Sequence, residues 1–315
     1  MTEKQEIDNG SMEILDNTSL GNAFDRRFTF DRGVSLLGLG QTNSGKTEKS
    51  YTIDSWLIHK GRETPYILDC AKPDELNPLA MMGLPLNIIV PTGCNVHVEN
   101  CPVECSIVEA PTAESSWHLA KRGFLNVFSF RAFIMDDTDY GKYLGDFFGK
   151  LLAETMQGRR HVKEFIQTPA FLKCDEFHEI CPSNRLIENN EQRKAAAKIA
   201  KVLKKLRSSE LRICAYDQSY RDIYPAARTQ FPFLLLSRQP GLDPHELWDL
   251  NYNFSRLPTP KGIMVFPEHN WCGRWSFAKF PRPENMFVDY EGEFRFSKKK
   301  KKVLETWQRV VEDEA

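Results

Sequence analysis

The sequence Gly40-Gln41-Thr42-Asn43-Ser44-Gly45-Lys46-Thr47 fits the phosphate-binding pattern G-x-x-x-x-G-K-[ST]. An apolar run, Val34–Leu39, precedes it and indicates a short buried strand, and the residues that follow it, through Ile58, favour a helix. This order of strand, loop and helix is the context that the pattern requires, and it disfavours the alternative of a chance glycine-rich turn. The rest of the chain is therefore interpreted around this loop.

The residue types of the loop predict its chemistry. Glycines let backbone N–H groups turn inward and hold phosphate oxygens, and the helix that follows adds the positive end of its dipole. Lys46 is expected to reach the β- and γ-phosphates of ATP, and the Thr47 hydroxyl is expected to coordinate Mg²⁺. The loop is therefore predicted to bind a nucleotide.

Composition narrows the class of protein. The chain has 315 residues, of which 41% are hydrophobic, enough for one large α/β domain or two small ones. The net charge of -1 gives no global attraction to nucleic acid, so a contact with a polyanion must come from local basic stripes. The eight cysteines are scattered, no signal peptide is evident, and no apolar run approaches the roughly 20 residues of a membrane span. We therefore expect a reducing, intracellular compartment, with the protein neither secreted nor inserted in a membrane.

Short apolar runs alternate with helical or loop segments along the chain. Strand composition occurs in the segments 65–70, 87–90, 125–130, 170–174, 211–216, 231–236 and 262–266, and helical periodicity occurs over 138–157. Strands that alternate with helices predict an α/β fold, with a mostly parallel central sheet and helices on both faces.

The strand predicted at 170–174 is followed by Asp175 and Glu176. An apolar strand with Asp after it is the Walker B arrangement, in which Asp175 would hold Mg²⁺ through its water shell. Glu176 is then placed to orient and polarise the attacking water. The alternative is a solvated acidic turn, which the phosphate-binding loop upstream disfavours.

The next predicted strand, 211–216, leads into Asp217 and Gln218. A glutamine at the tip of the strand beside Walker B can sense the γ-phosphate or the attacking water through its amide. A surface glutamine at a strand end is an equally good interpretation of the spacing.

Three segments resemble motifs of the HerA/FtsK superfamily of P-loop ATPases, which includes DNA-pumping motors and viral genome-packaging ATPases. They are the loop 40–47, the segment Cys174-Asp-Glu-Phe-His178 with Cys181-Pro182 after it, and Gln218-Ser-Tyr-Arg-Asp-Ile-Tyr-Pro225. The resemblance covers about residues 33 to 283 and includes a later element, Leu257-Pro-x-x-x-Gly262. The chain departs from the family pattern at Asp217, where Thr is usual, and at Leu206, where Gly is usual.

The resemblance implies a RecA-like P-loop NTPase fold and an ATPase that moves double-stranded DNA. Cellular relatives carry a barrel or membrane segments before the phosphate-binding loop, and this sequence has little chain there. Among the family, the chain is therefore most similar to the packaging ATPases of internal-membrane icosahedral viruses. It also implies a closed ring, of six subunits in this family, with an arginine from the neighbouring subunit facing the γ-phosphate. The candidates for that arginine, in order, are Arg238, Arg228 and Arg207, and for each the alternative is an ordinary surface arginine.

The segment 191–207 is rich in helix-forming residues and is predicted to be a helix. One of its faces carries four lysines: Lys194, Lys198, Lys201 and Lys205. Beside the Walker B loop, this stripe can contact DNA phosphates without reading sequence. A solvated basic face is the alternative. The run Lys298–Lys302 is a second candidate DNA contact, with a solvated tail as its alternative.

Four residues with zinc-ligand chemistry lie close together in sequence: Cys94, His97, Cys101 and Cys105. Their types and spacing are compatible with a tetrahedral Zn²⁺ site. Ordinary buried or free cysteines in an insertion are the alternative.

The sequence thus predicts an N-terminal arm (1–25), mobile or docked on a neighbour, an ATPase domain (26–290) with a Cys/His insertion at 91–112, and a basic tail with a short helix (291–315). The primary interpretation is an ATP-driven double-stranded DNA translocase, a ring-shaped viral packaging motor that hydrolyses ATP to ADP and phosphate. Its partners would be DNA and capsid or membrane proteins at a packaging vertex, in the host cytoplasm or the virion. One alternative is a plasmid or conjugation-type DNA transfer ATPase, and another is a nucleotide-dependent assembly switch that moves no DNA.

Overall fold

A computed structural model describes residues 13–15, 33–68, 75–238, 254–259, 261–266 and 271–293. In chain order the strands are β1 (Glu13–Leu15), β2 (Leu36–Leu39), β3 (Thr64–Leu68), β4 (Leu86–Pro91), β5 (Asn95–Glu99), β6 (Cys105–Ala110), β7 (Leu125–Phe128), β8 (Ala170–Cys174), β9 (Leu211–Asp217), β10 (Phe233–Leu236), β11 (Lys261–Phe266), β12 (Trp271–Ser276) and β13 (Phe287–Glu291). The α-helices are α1 (Lys46–His59), α2 (Leu76–Leu79), α3 (Asp137–Met156), α4 (Arg159–Phe165), α5 (Phe177–Ile180), α6 (Asn190–Leu206) and α7 (Pro225–Arg228).

Eleven of the described strands form one sheet, in the order β1-β12-β11-β10-β2-β9-β8-β3-β7-β4-β6. The strands from β10 to β6 are all parallel. β11 is antiparallel to both of its neighbours, β10 and β12, and β1 pairs in parallel with β12. The phosphate-binding loop follows β2, which lies between β9 and β10. Since parallel strands end at the same edge, the loops after β2, β8, β9 and β10 converge there.

Helices cover both faces of this sheet. Leu36 of β2 packs into the apolar cluster that contains α1 and α2, and the next residue, Leu37, packs into the cluster that contains α3 and α6. Successive residues of a strand point to opposite faces, so both faces of β2 are apolar because both are covered. The α/β fold with a mostly parallel sheet and helices on both faces is confirmed.

The helices α3 and α6 pack closely against each other on one face of the sheet. A Cβ atom at Gly141 would lie 2.8 Å from the backbone nitrogen of Gln192, so only glycine permits this approach. Further along, the Nζ atom of Lys198 donates a hydrogen bond of 2.7 Å to the carbonyl of Gly145. This contact turns Lys198 toward α3.

Four strands of the C-terminal third and of the Cys/His insertion are not among the predicted ones. β6 joins the edge of the large sheet, β12 pairs with β11, and β5 pairs with β13 in a separate two-stranded sheet. In the predicted arm, Glu13–Leu15 forms β1 on the edge of β12. The rest of the arm, the last two residues of the strand predicted over 65–70, and the predicted tail beyond residue 293 lie outside the described residues.

A buried ion pair connects α1 to the strand before Walker B. The Nζ atom of Lys173 lies 2.8 Å from Asp54 Oδ2 and donates to Ser50 Oγ at 2.9 Å, and it sits 3.8 Å from the centre of the Tyr51 ring. Burial raises the pKa of Asp54 to about 6, against the opposing effect of Lys173. The pair therefore keeps a charged carboxylate inside the protein.

Replacing Lys173 with Met is expected to lower the free energy of unfolding by about 3–5 kcal/mol at neutral pH, since it leaves Asp54 buried and unpaired. Lys173 lowers the pKa of Asp54, so in the variant burial raises that pKa further and the carboxyl takes up a proton more readily. The loss should therefore shrink as the pH falls. Denaturant unfolding at two pH values measures this. Lys163→Met, which removes a half-exposed pair with Glu210, is the matched control and should cost under about 1 kcal/mol. Equal losses for both variants would contradict the assignment.

None of the helices in the described ranges combines the length and apolar composition that a bilayer crossing requires.

Candidate active site

The phosphate-binding loop is tied to the two strands that flank β2. The backbone N–H of Gly40 donates to the carbonyl of Asp217, and that of Gln41 donates to the carbonyl of Arg238, both at 3.0 Å. Gly45 has φ +73°, and a Cβ atom there would lie 3.0 Å from the Thr259 carbonyl, which explains the second glycine of the pattern. The first N–H groups of α1, which begins at the next residue, have no partner within the helix and are available to a ligand.

Lys46 is buried and faces the Walker B carboxylates. Its Nζ atom lies 3.3 Å from Asp175 Oδ1 and 3.5 Å from Glu176 Oε1. Burial alone would lower the pKa of Lys46, but the nearby carboxylates of Asp175, Glu176 and Asp217 outweigh it and raise that pKa. Lys46 is therefore a fixed positive charge in the floor of the site.

A second lysine of α1, Lys49, supports the loop from behind. Its Nζ atom donates to the Ser44 carbonyl at 2.7 Å and to Ser237 Oγ at 3.0 Å. Burial lowers the pKa of Lys49 to about 8, and the guanidinium of Arg238 adds to this effect. The sequence pattern does not identify Lys49, whose role follows from its burial.

Walker B places its two carboxylates differently. Asp175 is buried and accepts a hydrogen bond of 3.0 Å from the backbone N–H of Glu176. Glu176 has φ 43°, in the left-handed region that side chains other than glycine seldom adopt. This backbone conformation turns the Glu176 carboxylate toward the loop, where it meets Lys46.

Gln218 lies between the phosphate-binding loop and Walker B. Its Nε2 atom donates to Glu176 Oε2 at 3.2 Å, and its Oε1 atom accepts from the Thr42 hydroxyl, also at 3.2 Å. The structure thus brings Gln218 into the site. Its role in sensing the γ-phosphate stays a prediction.

These residues surround a cleft of about 660 Å³. Apart from the loop, Glu176 and Gln218, its walls include four residues that the sequence analysis did not assign: Glu48, His178, Glu179 and Arg282. Arg282 donates to Glu48 Oε1 at 2.6 Å, and the backbone N–H of Phe280 donates to the other oxygen at 2.7 Å. An acid in the first turn of a helix is already favoured by the helix dipole, so nothing in the sequence indicates that Glu48 pairs with Arg282.

Two of the predicted arginines, Arg238 and Arg228, do not line this cleft. Arg238 donates to the Asn43 carbonyl of its own loop at 3.2 Å. Arg228 donates to the Tyr220 carbonyl at 3.4 Å and lies over the Tyr220 ring. The backbone of Arg207 begins a short 3₁₀ turn, and its side chain lies outside the described residues. Donation of any of these arginines to a neighbouring subunit stays a prediction.

The structure does not bring the predicted zinc ligands together, which corrects that prediction. In β5 every second side chain faces solvent, so His97 is exposed and pairs with Glu99 at 2.8 Å, whereas Cys94 is buried in the preceding turn. Over the described ranges, three ligand-type side chains come within 4.8 Å of one another in a single group, Glu176, His178 and Asp217. Asp217 already accepts four N–H groups there, so the group is a hydrogen-bonded cluster.

The basic face of α6 also differs in part from the prediction. Lys194, Lys201 and Lys205 are exposed, together with Lys204. Lys198 is half-buried and bound to Gly145 of α3, because its position on the helix faces that neighbour. Its assignment to a DNA-contacting stripe is corrected.

Comparison with solved structures finds proteins of similar fold. The genome-packaging NTPase B204 of Sulfolobus turreted icosahedral virus 2, in complex with ATP-gammaS, is 15% identical over 78% of this chain and 98% of its own, with a TM-score of 0.45. The bacterial conjugative coupling protein TrwBΔN70 is 13% identical over 80% of this chain and 86% of its own, with a TM-score of 0.49. The conjugation coupling protein TcpA of pCW3, with ATPgS, is 11% identical over 80% and 62%, with a TM-score of 0.43. No protein-family model matches the chain, and no curated protein matches it in sequence.

Proposed function

We propose that this chain binds ATP with Mg²⁺ in the cleft and hydrolyses it, and that hydrolysis drives movement along double-stranded DNA, as in a genome-packaging motor. The observation that carries the proposal is the meeting of four elements at one edge of the sheet. The loop after β2, the carboxylates after β8 and the amide after β9 lie within hydrogen-bond or ion-pair distance of one another, and α1 points its N-terminus at them.

Each group has a place in the hydrolysis of ATP by water. The N–H groups at the start of α1 and the ammonium of Lys46 would bind the phosphates. Glu176 would orient the water and accept its proton while the water oxygen attacks the γ-phosphorus and the bond to the β-phosphate oxygen breaks, which yields ADP and phosphate. Gln218 would hold the Glu176 carboxylate in position.

The donor chemistry at the loop fits Mg²⁺. The Thr47 hydroxyl and the buried Asp175 carboxylate are hard oxygen donors, which Mg²⁺ prefers. Asp175 Oδ1 already faces a cation, the Nζ atom of Lys46 at 3.3 Å. When bound, Mg²⁺ neutralises charge on the β- and γ-phosphates. The four residues predicted to bind Zn²⁺ give no comparable site.

DNA is the proposed track for two reasons. The three motif segments of the chain resemble those of DNA-moving HerA/FtsK ATPases. In addition, α6 presents exposed lysines, at Lys194, Lys201, Lys204 and Lys205, on the sheet face opposite α1. Lysines in this arrangement contact backbone phosphates and release counterions without reading base sequence.

Steady-state ATP hydrolysis with and without double-stranded DNA tests the proposal. We expect DNA to stimulate hydrolysis. We also expect the triple variant Lys194→Gln, Lys201→Gln and Lys205→Gln to bind DNA of every sequence more weakly. Each lysine that binds a phosphate should, when replaced, lower the salt slope of DNA binding by about one unit. The controls are Lys198→Gln, because Lys198 is bound to Gly145, and Lys60→Gln at the far end of α1. If DNA does not change the rate of hydrolysis, and the lysine variant keeps the wild-type salt slope of DNA binding, the result would instead support a switch that moves no DNA.

A ring, of six subunits in the family that the motifs resemble, is part of the proposal. A packaging motor of this kind would work with capsid or membrane proteins at a vertex, in the host cytoplasm or the virion. Mixing the inactive variants Lys46→Ala and Arg228→Ala, or Lys46→Ala and Arg238→Ala, tests for a shared site. Recovery of activity in the mixture identifies the arginine that acts across the interface. Arg238 contacts the phosphate-binding loop of its own subunit. If it acts there, the mixture of Lys46→Ala and Arg238→Ala should recover no activity.

A further inference from the structure

The side chain of Asp217 is fully buried at the end of β9 and accepts an unusual number of hydrogen bonds. Its Oδ1 atom accepts from the backbone N–H of Gln218 at 2.6 Å, from that of Ser219 at 3.3 Å and from Nδ1 of His178 at 3.1 Å. Its Oδ2 atom accepts from the backbone N–H of His178 at 2.6 Å. These hydrogen bonds join the end of β9 to the first turn of α5.

The imidazole of His178 lies between this carboxylate and the carboxylate assigned to water activation. While its Nδ1 atom bonds to Asp217, the same atom lies 3.8 Å from Glu176 Oε2. His178 also lines the nucleotide cleft, with about 30% of its side chain exposed. His178 has no role of its own in the proposed hydrolysis of ATP.

Glu176 needs support from outside its own backbone. Its φ of 43° is unfavourable for a side chain with a Cβ atom, so neighbouring contacts must hold it there. Gln218 holds the carboxylate, and the Asp217–His178 contacts anchor the chain two residues further on. Asp217 also precedes Gln218 directly, so one buried carboxylate fixes the backbone beside Glu176 and beside Gln218, which holds the Glu176 carboxylate.

We propose that His178, held by the buried carboxylate of Asp217, is a positioning residue for Glu176 and supplies a positive charge to the cleft that sets the pH range of hydrolysis. This inference rests on the proposed ATPase function and deepens it. It also gives a physical reason for the aspartate at position 217, where the family that the motifs resemble has threonine: an aspartate stabilises the imidazolium, which a hydroxyl does not.

The charges around His178 define the direction of the pH effect. The hydrogen bond to Asp217 raises the pKa of His178, burial opposes this, and the carboxylates of Asp217, Glu176 and Glu179 add to the rise. Below that pKa the imidazolium offsets the negative charge of Glu176 and of bound phosphates. As the pH rises through the pKa of His178, its hydrogen bond to Asp217 remains but the imidazole loses its positive charge. The value of kcat therefore falls. The opposing cation, Lys46, keeps its charge because its pKa is raised as well.

The test compares pH profiles of kcat and KM for ATP in wild-type protein, His178→Asn and His178→Ala. Asn can donate from Nδ2 to Asp217 in place of Nδ1 but does not titrate. His178→Asn is therefore expected to lose the alkaline fall in kcat while keeping Glu176 in position. His178→Ala should lose about 10- to 100-fold in kcat with little change in KM, because Glu176 is no longer held.

His97→Asn is the matched control, since His97 also has a raised pKa, from its hydrogen bond to Glu99, but lies on β5 away from the cleft. It should keep the wild-type profile. An alkaline fall that persists in His178→Asn, or a wild-type kcat in His178→Ala, overturns the inference. If His178→Ala does not fold, the profile of His178→Asn decides alone. Absence of hydrolysis in the wild-type protein would instead defeat the proposed function, so the two failures are distinguishable.

Discussion

Lys46→Ala is expected to abolish ATP turnover and to weaken nucleotide binding by about 10²- to 10³-fold. Lys46 is the buried cation of the loop, and its Nζ atom already faces two carboxylates at 3.3 and 3.5 Å. Without it, bound phosphates would meet Asp175 and Glu176 with no buried positive charge between them. Equilibrium binding of a fluorescent ATP analogue and steady-state hydrolysis measure the two effects.

Lys60→Ala is the control for Lys46→Ala, because Lys60 caps the opposite end of the same helix and stacks on Trp56. It should bind and hydrolyse ATP as the wild-type protein does. A Lys46→Ala protein that is folded and binds ATP with wild-type affinity would contradict the assignment of the loop.

Glu176→Gln is expected to keep ATP bound and to slow hydrolysis by about 10²- to 10⁴-fold. Gln has nearly the same volume and can still bond to Gln218, but it cannot accept the proton of the attacking water. Removing its negative charge also removes repulsion toward bound phosphates, so binding should be retained or strengthened. Single-turnover hydrolysis of pre-bound ATP separates this chemical step from binding.

The matched control for Glu176→Gln is Glu179→Gln. Glu179 also lines the cleft, but its carboxylate pairs with Arg131 at 3.4 Å, whereas that of Glu176 pairs with Lys46. That variant should hydrolyse ATP at close to the wild-type rate. If Glu176→Gln hydrolyses at the normal rate while Glu179→Gln does not, the catalytic carboxylate has been assigned to the wrong residue.

The parts of the fold that the sequence predicts well are those with local causes. Ala170–Cys174 is a strand as predicted, and the helix predicted over 138–157 is observed at Asp137–Met156. Both segments carry apolar patterns with the period of their structure, and the side chain of Asp136 caps the helix. Because parallel strands end at one edge, the same patterns also predict that the phosphate-binding loop, Asp175 and Gln218 meet.

The parts that it does not predict depend on contacts between distant segments. β5 pairs with β13, and nothing local to either strand indicates its partner. The same is true of the Arg282–Glu48 pair, which closes one side of the cleft. Lys198 shares a helical stripe with exposed lysines, but it packs on a glycine-rich face of α3 that the periodicity of α6 alone does not reveal.

Displacement of a third strand from double-stranded DNA tests the central claim most directly. A short oligonucleotide is bound as a triplex on linear duplex DNA, and its release is followed after ATP is added to wild-type protein or to Glu176→Gln. An ATP-driven translocase is expected to displace the third strand with ATP, and Glu176→Gln is expected to bind the duplex without displacing it. Wild-type protein that hydrolyses ATP on this DNA and leaves the third strand in place would contradict the account.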